Sequence, residues 1–495
     1  MIVWVLTALV LVISYLAFRK PRNLPPGRWG LPVIGYIPLY TSDKSKMIRD
    51  FRNQFGNIFL WKLGSRITVG LCDYHLIKAT FSRPECQGRP DFISVYEHNF
   101  QEKNTGLIMS VGDVWKDGRR FALRHLRDFG MGKSSMEGII LHEAMSLAKS
   151  YDDTVGKPVE FSWNLNVAVL NVIWKLVADK RYDPKDEKIM KFSEMLSADL
   201  DAIQGPILIL DMFPALLHIL PESLLNKWMK LSQIREHVAE FKSFFEDTIH
   251  EHEKTFDPDN PRDYIDAYLK EMQMETGNKS TIFQENRMNL ISSVTSLFRA
   301  GSETTSSTMR WMVALMAVNP EIQRKMQKEI DEVFPGDEVP SLERRDKMPY
   351  TEAVLLEVHR FVTLLPIGLL HTATEDITVA GYRIPKNTVM FAHSESCHRD
   401  PKYWKKPNDF FPEHFLDEDG KLLTIREGFL PFSLGRRQCL GESLAKMELF
   451  LFATCLFKRF FFSAPEGSPI LTESDPTKPI LRFIRPYKVV MERRE

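Results

Sequence analysis

The 495-residue sequence has no net charge to offer: 65 basic residues balance 65 acidic ones. That balance gives no support for a nucleic-acid partner, and any electrostatic docking must come from local patches. Cysteine is scarce. Cys72, Cys86, Cys397, Cys439 and Cys455 are scattered, odd in number and form no Cys-x-x-Cys pair. A disulfide framework or a zinc site is therefore disfavoured, and the folded part is expected to face a reducing compartment. No Gly-x-Gly-x-x-Gly fingerprint is present, so the chain has no evident means of taking electrons from a nicotinamide itself. Internal repeats and low-complexity tracts are also missing.

Charge is absent from one place in particular, Met1 to Phe18. A helix of that length spans about 27 Å, close to the hydrocarbon thickness of a bilayer. Arg19, Lys20 and Arg22 follow at once, which predicts a single-pass anchor with the folded part on the cytosolic side. The segment has neither the charged start and cleavage site of a signal peptide nor the arginines of a mitochondrial presequence. The expected organisation is an anchor over residues 1–18, a basic and proline-rich hinge over 19–34, and a catalytic domain over 35–495. Asn23-Leu24-Pro25-Pro26-Gly27 and the following Pro32 make that hinge stiff.

What is present is core. Hydrophobic residues make up 44% and charged residues 26%, the profile of an ordered globular chain. Most of Asp113 to Glu329 carries helical periodicity with few breakers. Ile58 to Gly70 and Ile377 to Val389 hold β-branched residues and turn signals, which predict short strands. The fold class is mainly α with a small β-region. Phe213 to Pro221 is apolar between helical segments, either a buried loop or a second membrane contact.

One cysteine stands in an unusual setting. Phe432-Ser433-Leu434-Gly435-Arg436-Arg437-Gln438-Cys439-Leu440-Gly441 is a basic, glycine-punctuated loop, and the apolar run Leu444 to Phe462 after it predicts a helix. Backbone N–H groups and a helix N-terminus there are expected to favour a thiolate on Cys439. Further upstream, Ala300-Gly301-Ser302-Glu303-Thr304-Thr305 lies inside a long helical stretch. Gly301 weakens that helix, and Thr304 can bond back to the carbonyl four residues earlier. An acid and a hydroxyl side by side can relay protons. Glu357-Val358-His359-Arg360 sets an acid and a base on one helix face within apolar flanks, a pair that burial would oblige to find further partners.

The spacing Phe-x-x-Gly-x-Arg-x-Cys-x-Gly, matched at all five fixed positions, resembles the haem-binding signature of the cytochrome P450 monooxygenases. The resemblance implies the cytochrome P450 fold with one N-terminal transmembrane helix. It implies haem b ligated by Cys439, whose thiolate favours O–O cleavage. Arg437 then reaches a haem carboxylate, as do Trp115 and Arg119 from a Trp-x-x-x-Arg helix, His371, and Arg89 of Gly88-Arg89-Pro90. Glu303 and Thr304 match the oxygen-activation motif and are the catalytic pair. Arg299, beside it, replaces a commonly small residue and is expected to point away from the haem. Glu357 and Arg360 match the structural Glu-x-x-Arg lock. Its usual third partner, an arginine, is His414 here, as in the animal family-two clan, so the charge at that point is open.

The missing nucleotide fingerprint and the resemblance together imply electrons from NADPH–cytochrome reductase, with cytochrome b5 as a further partner, at the endoplasmic reticulum membrane. Lys116, Arg120, Arg124 and Arg127 form a basic stripe suited to such docking. The substrate is expected to be a lipophilic small molecule, lined by Ser293, Ser296, Leu297, Ala300, Val362, Ile367 and Leu369 and closed by Pro479-Ile480-Leu481. The run Cys-Leu-Gly-Glu-Ser-Leu-Ala-Lys is similar to the insect farnesoate or methyl farnesoate epoxidases of juvenile hormone synthesis. Hydroxylation of a steroid, fatty acid or xenobiotic is the alternative within the class. A haem-thiolate isomerase or a haem sensor lies outside it, and neither needs the Glu303–Thr304 pair.

Overall fold

A computed structural model describes residues 20–31, 34–36, 44–274, 282–283, 287–423, 426–478 and 480–494. The expected anchor over residues 1–18, Arg19 and Pro479 lie outside them. Among the described residues no helix is long and apolar enough to cross a membrane.

Helices dominate, and they wrap one of their number. The central helix, Arg287–Val318, is 32 residues long and carries a single glycine. It packs against Trp163–Ala178, Pro349–Val362 and Glu442–Arg459. Trp163–Ala178 is buried on nearly all sides, the mark of a core helix. Gly301 lets the two helices approach closely, since a Cβ at that point would come within 2.7 Å of Ile173 Cδ1 and push that side chain aside. Trp174 and Phe298 meet at 4.4 Å between ring centroids and seal this contact.

The predicted strands form, with sharper boundaries. Ile58–Leu63 and Arg66–Leu71 make an antiparallel hairpin, and Arg66–Leu71 pairs in parallel with Val389–Ala392. Gly27–Arg28 and His371–Thr372 complete a five-stranded sheet. Ile377–Val379 and Tyr382–Ile384 form a separate hairpin whose turn residues Ala380 and Gly381 both have positive φ, as a tight two-residue turn requires. The helix after the cysteine loop differs from expectation. It runs Glu442–Arg459, and Phe460–Ser463 is instead a strand paired with Lys488–Arg493. Its burial alternates residue by residue, the period of a strand rather than a helix.

The Glu357–Arg360 lock is fully buried, with both side chains at 0% exposure. Two bonds of 2.7 Å join guanidinium to carboxylate. Arg360 also donates to the carbonyls of His398, Pro407 and Asp409. Glu357 accepts from Phe411 N–H at 2.8 Å. His414 accepts the Lys406 N–H on Nε2, so its proton sits on Nδ1 and is donated to Glu357 at 3.2 Å. His414 therefore fills the third place as an uncharged donor rather than as a cation.

Candidate functional site

Cys439 is set by a tightly wound loop. Its N–H donates to Phe432 O at 2.9 Å, and Gln438 N–H donates to Gly435 O. Gly435 has φ +80°, and a Cβ there would lie 2.2 Å from Phe81 O, so glycine is required where the loop crosses the helix Tyr74–Phe81. Of the five cysteines four are buried and Cys439 alone is exposed. Burial among protein groups nevertheless pushes its thiol up, and Glu442 adds to this. The Gly441 N–H and Arg119 pull the other way and do not prevail. Burial and Glu442 thus oppose the anion, while the Gly441 N–H and Arg119 favour it, as the loop's sequence leads one to expect.

The central helix is buried over Asn289–Ser296 and, apart from Arg310, again over Thr305–Met316; between them Ala300, Gly301, Glu303 and Thr304 are accessible while Ser302 is buried. Thr304 Oγ1 donates to Ala300 O at 2.7 Å, as its position predicts. Burial pushes the Glu303 carboxyl up. Arg310 and Lys478 draw it down, Asp201 adds to the rise, and the net direction is upward. Glu303 is therefore inclined to hold a proton next to a hydroxyl.

Trp115 and Arg119 project from the helix Gly112–Asp128. Arg437 stacks on Trp115, 3.9 Å from the ring centroid, and donates to Gln87 O and Ser110 O. Arg119 donates to Gln438 O at 2.8 Å. Arg89 donates to Ile108 O and Leu370 O. Burial, then Arg89 and Arg119, hold Arg437 down at about 8. Burial and Arg119 hold Arg89 at about 10. His371 stacks on Phe81 at 3.9 Å and donates from Nδ1 to Cys86 O. Burial first, then Arg89, bring it to about 3, so it is neutral.

Three arginines thus crowd together on carbonyl partners, and none forms an ion pair with a described carboxylate. Arg437 Nη1 is buried with no partner. Buried cations normally have an anion, so this donor set fits a group that brings carboxylates of its own.

Other expectations fare unevenly. Ser293, Ser296 and Val362 are buried, and Ser296 Oγ is spent on Ser292 O and Leu107 N–H. Leu297 and Ala300 stay accessible, and Leu369 is exposed. Ile367 packs against the cluster around Phe51 and Phe59. In the basic stripe, Lys116 and Arg120 pair with Asp113 and Asp117 one turn back. The sequence reading missed Glu448, whose Oε2 accepts from Thr305 Oγ1 at 3.1 Å while Oε1 is buried without a partner. Burial holds it at about 8, with Thr305 opposing. It is the lone acid in the apolar run Leu444–Phe462, and that was the available signal. Asp199 and His98, described below, gave none.

A buried helix that opens at an acid and a hydroxyl, one accessible cysteine in a glycine-bounded loop and an arginine trio beside it define a haem-thiolate protein. Residues 25–491 match the family model Cytochrome P450. The chain belongs to that family, and is a monooxygenase whose haem iron is ligated by cysteine. It is 42% identical over 482 residues to Cytochrome P450 2L1 of Panulirus argus, covering 97% of each chain. To Cytochrome P450 2J2 of Homo sapiens it is 39% identical over 470 residues, 94% of this chain and 90% of the relative. To Cytochrome P450 18a1 of Drosophila melanogaster it is 36% identical over 476 residues, 94% and 86%.

Proposed function

We propose that Cys439 is the iron ligand and that the enzyme inserts one atom of O2 into a lipophilic substrate with electrons supplied from NADPH through a flavoprotein reductase. The observation that carries this reading is the exposure of Cys439, alone among five cysteines. Bound haem supplies the oxygen chemistry. The protein supplies the rest. Arg437, Arg119 and Arg89 would hold the haem carboxylates, which would relieve the mutual repulsion of the three cations. Trp115 braces Arg437, and His371, close to Arg89 and Arg437, would join the same site. Glu303, inclined to keep its proton, delivers it by way of the Thr304 hydroxyl, which its bond to Ala300 O keeps in one orientation.

Membrane attachment at the endoplasmic reticulum is supported by apolar side chains on one edge. Ile209, Ile219 and Trp228 are exposed, as are Leu31 and Ile34 of the hinge. The turn at Gly64 and Ser65 ties the two groups together, with Gly64 N–H donating to Ile34 O and Ser65 N–H to Met212 O. The exposed stripe residues Arg124 and Arg127 suit an acidic redox partner, with cytochrome b5 as a second one. For substrate, the Cys439–Lys446 resemblance supports epoxidation of farnesoate or methyl farnesoate as the first chemistry to examine.

The experiment is expression in microsomes with a reductase, followed by the reduced-CO spectrum and NADPH-dependent product analysis. A thiolate-type CO band that Cys439→His abolishes is the expected result. A band that survives that substitution would move the ligand elsewhere.

A further inference from the structure

Arg299 stands one residue before the opening in the central helix, and its guanidinium gathers three segments at one point. Nε and Nη2 donate to the two carboxylate oxygens of Asp199, in the helix Glu187–Ile203, at 2.6 and 2.8 Å. Nη2 also donates to the carbonyl of His98, at the end of the helix Ile93–His98, at 3.0 Å. Phe241 of the helix Leu231–Thr255 covers the group at 5.9 Å from its ring centroid. Asp199 has 1% side-chain exposure and Arg299 has 13%, so Arg299 is the more accessible partner. Nη1 of Arg299 has no protein partner among the described residues.

His98 is 3% exposed. Its Nδ1 lies 2.7 Å from Ser94 O, a carbonyl, so Nδ1 must carry the hydrogen. Burial lowers its affinity for a second proton, and Arg299 adds to this against Asp199, Glu97 and the Ser94 bond. The ring is neutral, and Nε2 is a bare acceptor, buried with no partner. Its neighbours in the same wall are satisfied. Glu97 takes both bonds of Arg235 at 2.8 Å. Asp211 takes the N–H and Oγ of Ser94. Thr105 meets Ser292 at 3.0 Å, and Asn289 accepts from Gly106 N–H. Buried polar atoms are nearly always paired, so a donor with a free face beside an unmet acceptor marks a place where a ligand completes the wall.

We propose that Arg299, Asp199 and His98 form the polar end of the substrate site and take a hydroxyl group borne by an otherwise apolar substrate. The hydroxyl oxygen accepts from Arg299 Nη1, and its hydrogen goes to His98 Nε2 after a small turn of the imidazole. Asp199 cancels the charge of Arg299, so nothing draws in a carboxylate, which would lie against Asp199 and has no hydrogen for Nε2. An ester accepts but cannot donate and leaves Nε2 bare. This assignment rests on the monooxygenase reading but not on the farnesoate or methyl farnesoate resemblance, in whose place it sets a lipophilic alcohol.

Three probes on one skeleton test it: farnesol, farnesoate and methyl farnesoate, titrated by haem spin shift into the full-length holoenzyme. Farnesol should bind at least about tenfold more tightly than the ester, as a site built to bond a hydroxyl rejects the analogue lacking it. His98→Phe should bring that ratio to about one with the thiolate CO band intact. The paired change Arg299→Leu with Asp199→Leu, which leaves no lone buried charge, should do the same. Equal affinities in the wild type, no binding of any probe, or a preference that survives both variants would overturn the assignment. A wild type without a thiolate CO band would instead sink the haem-thiolate reading on which it stands.

Discussion

Two buried arginines in this molecule are treated in opposite ways. Arg360 has a carboxylate held by two bonds, three carbonyls and a histidine to complete the ring of donors around Glu357. Arg437 has three bonds to two carbonyls, two further arginines nearby and one buried nitrogen left over. The first site is closed, and its charge is balanced within the chain. The second is balanced only when something anionic arrives. The contrast separates a cluster that holds the fold from one that holds a cofactor, although both look like conserving arrangements of the same side chain.

Breaking the closed site should have the largest effect. Glu357→Gln leaves Arg360 buried without its counter-charge and should cost about 3–5 kcal/mol, read from chemical unfolding. A smaller loss would mean that the carbonyls alone carry Arg360.

Glu395 offers a second closed site. It lies beside Arg482, Arg49 and Arg399. Burial pushes its carboxyl up, but Arg482 and the other cations outweigh this and hold it at about 2. The folded value lies below the unfolded value of about 4.3, so its contribution is present above that pH and is lost as pH falls toward 2. The linkage is worth up to about 3 kcal/mol. Unfolding curves at pH 7 and pH 3 should converge for Glu395→Gln relative to the wild type; parallel curves would remove Glu395 from the acid response.

Glu448 inverts the sign. Its folded value, about 8, lies above the unfolded one, so its contribution is intact below about pH 4.3 and fades as pH rises toward 8. Glu448→Gln keeps the shape without the titration and should be the more stable form at pH 8 by up to about 5 kcal/mol, the two proteins matching near pH 4. No gain at pH 8 would show that Glu448 is ionised in the fold.

The open site should respond least in stability. Arg437→Leu should cost the haem-free protein clearly less unfolding free energy than Glu357→Gln costs, on the order of 1 kcal/mol, since it removes carbonyl bonds and a charge that has no internal counter-charge. The same substitution should lower haem content measured by absorbance. A haem-free variant as destabilised as Glu357→Gln would erase the distinction between the two arginines.

The chemistry of the site was legible where it is local. The loop Phe432–Gly441 carries its own glycines, its arginine and its cysteine, and Glu357 with Arg360 are one turn apart. The hairpins at Ile58–Leu71 and Ile377–Ile384 follow from β-branched residues around short turns. Reading failed where the partner is far along the chain. Asp199 meets Arg299 across 100 residues, and Ser296 lies on a face that the loop at Gly106 covers. Phe460–Ser463 continues an apolar run but turns into a strand because Lys488–Arg493 comes to pair with it.

Sequence by itself determined the class of chemistry, because motif spacing puts a cysteine, glycines and an arginine into one short loop, and an acid and a hydroxyl next to each other, whatever surrounds them. Tertiary structure alone decided the charge states and the partners. Whether Cys439 keeps its proton, whether His414 and His98 are neutral, and which arginine lacks an anion all depend on burial and on groups brought from distant segments, since desolvation and Coulomb energy are set by neighbours in space rather than in the chain.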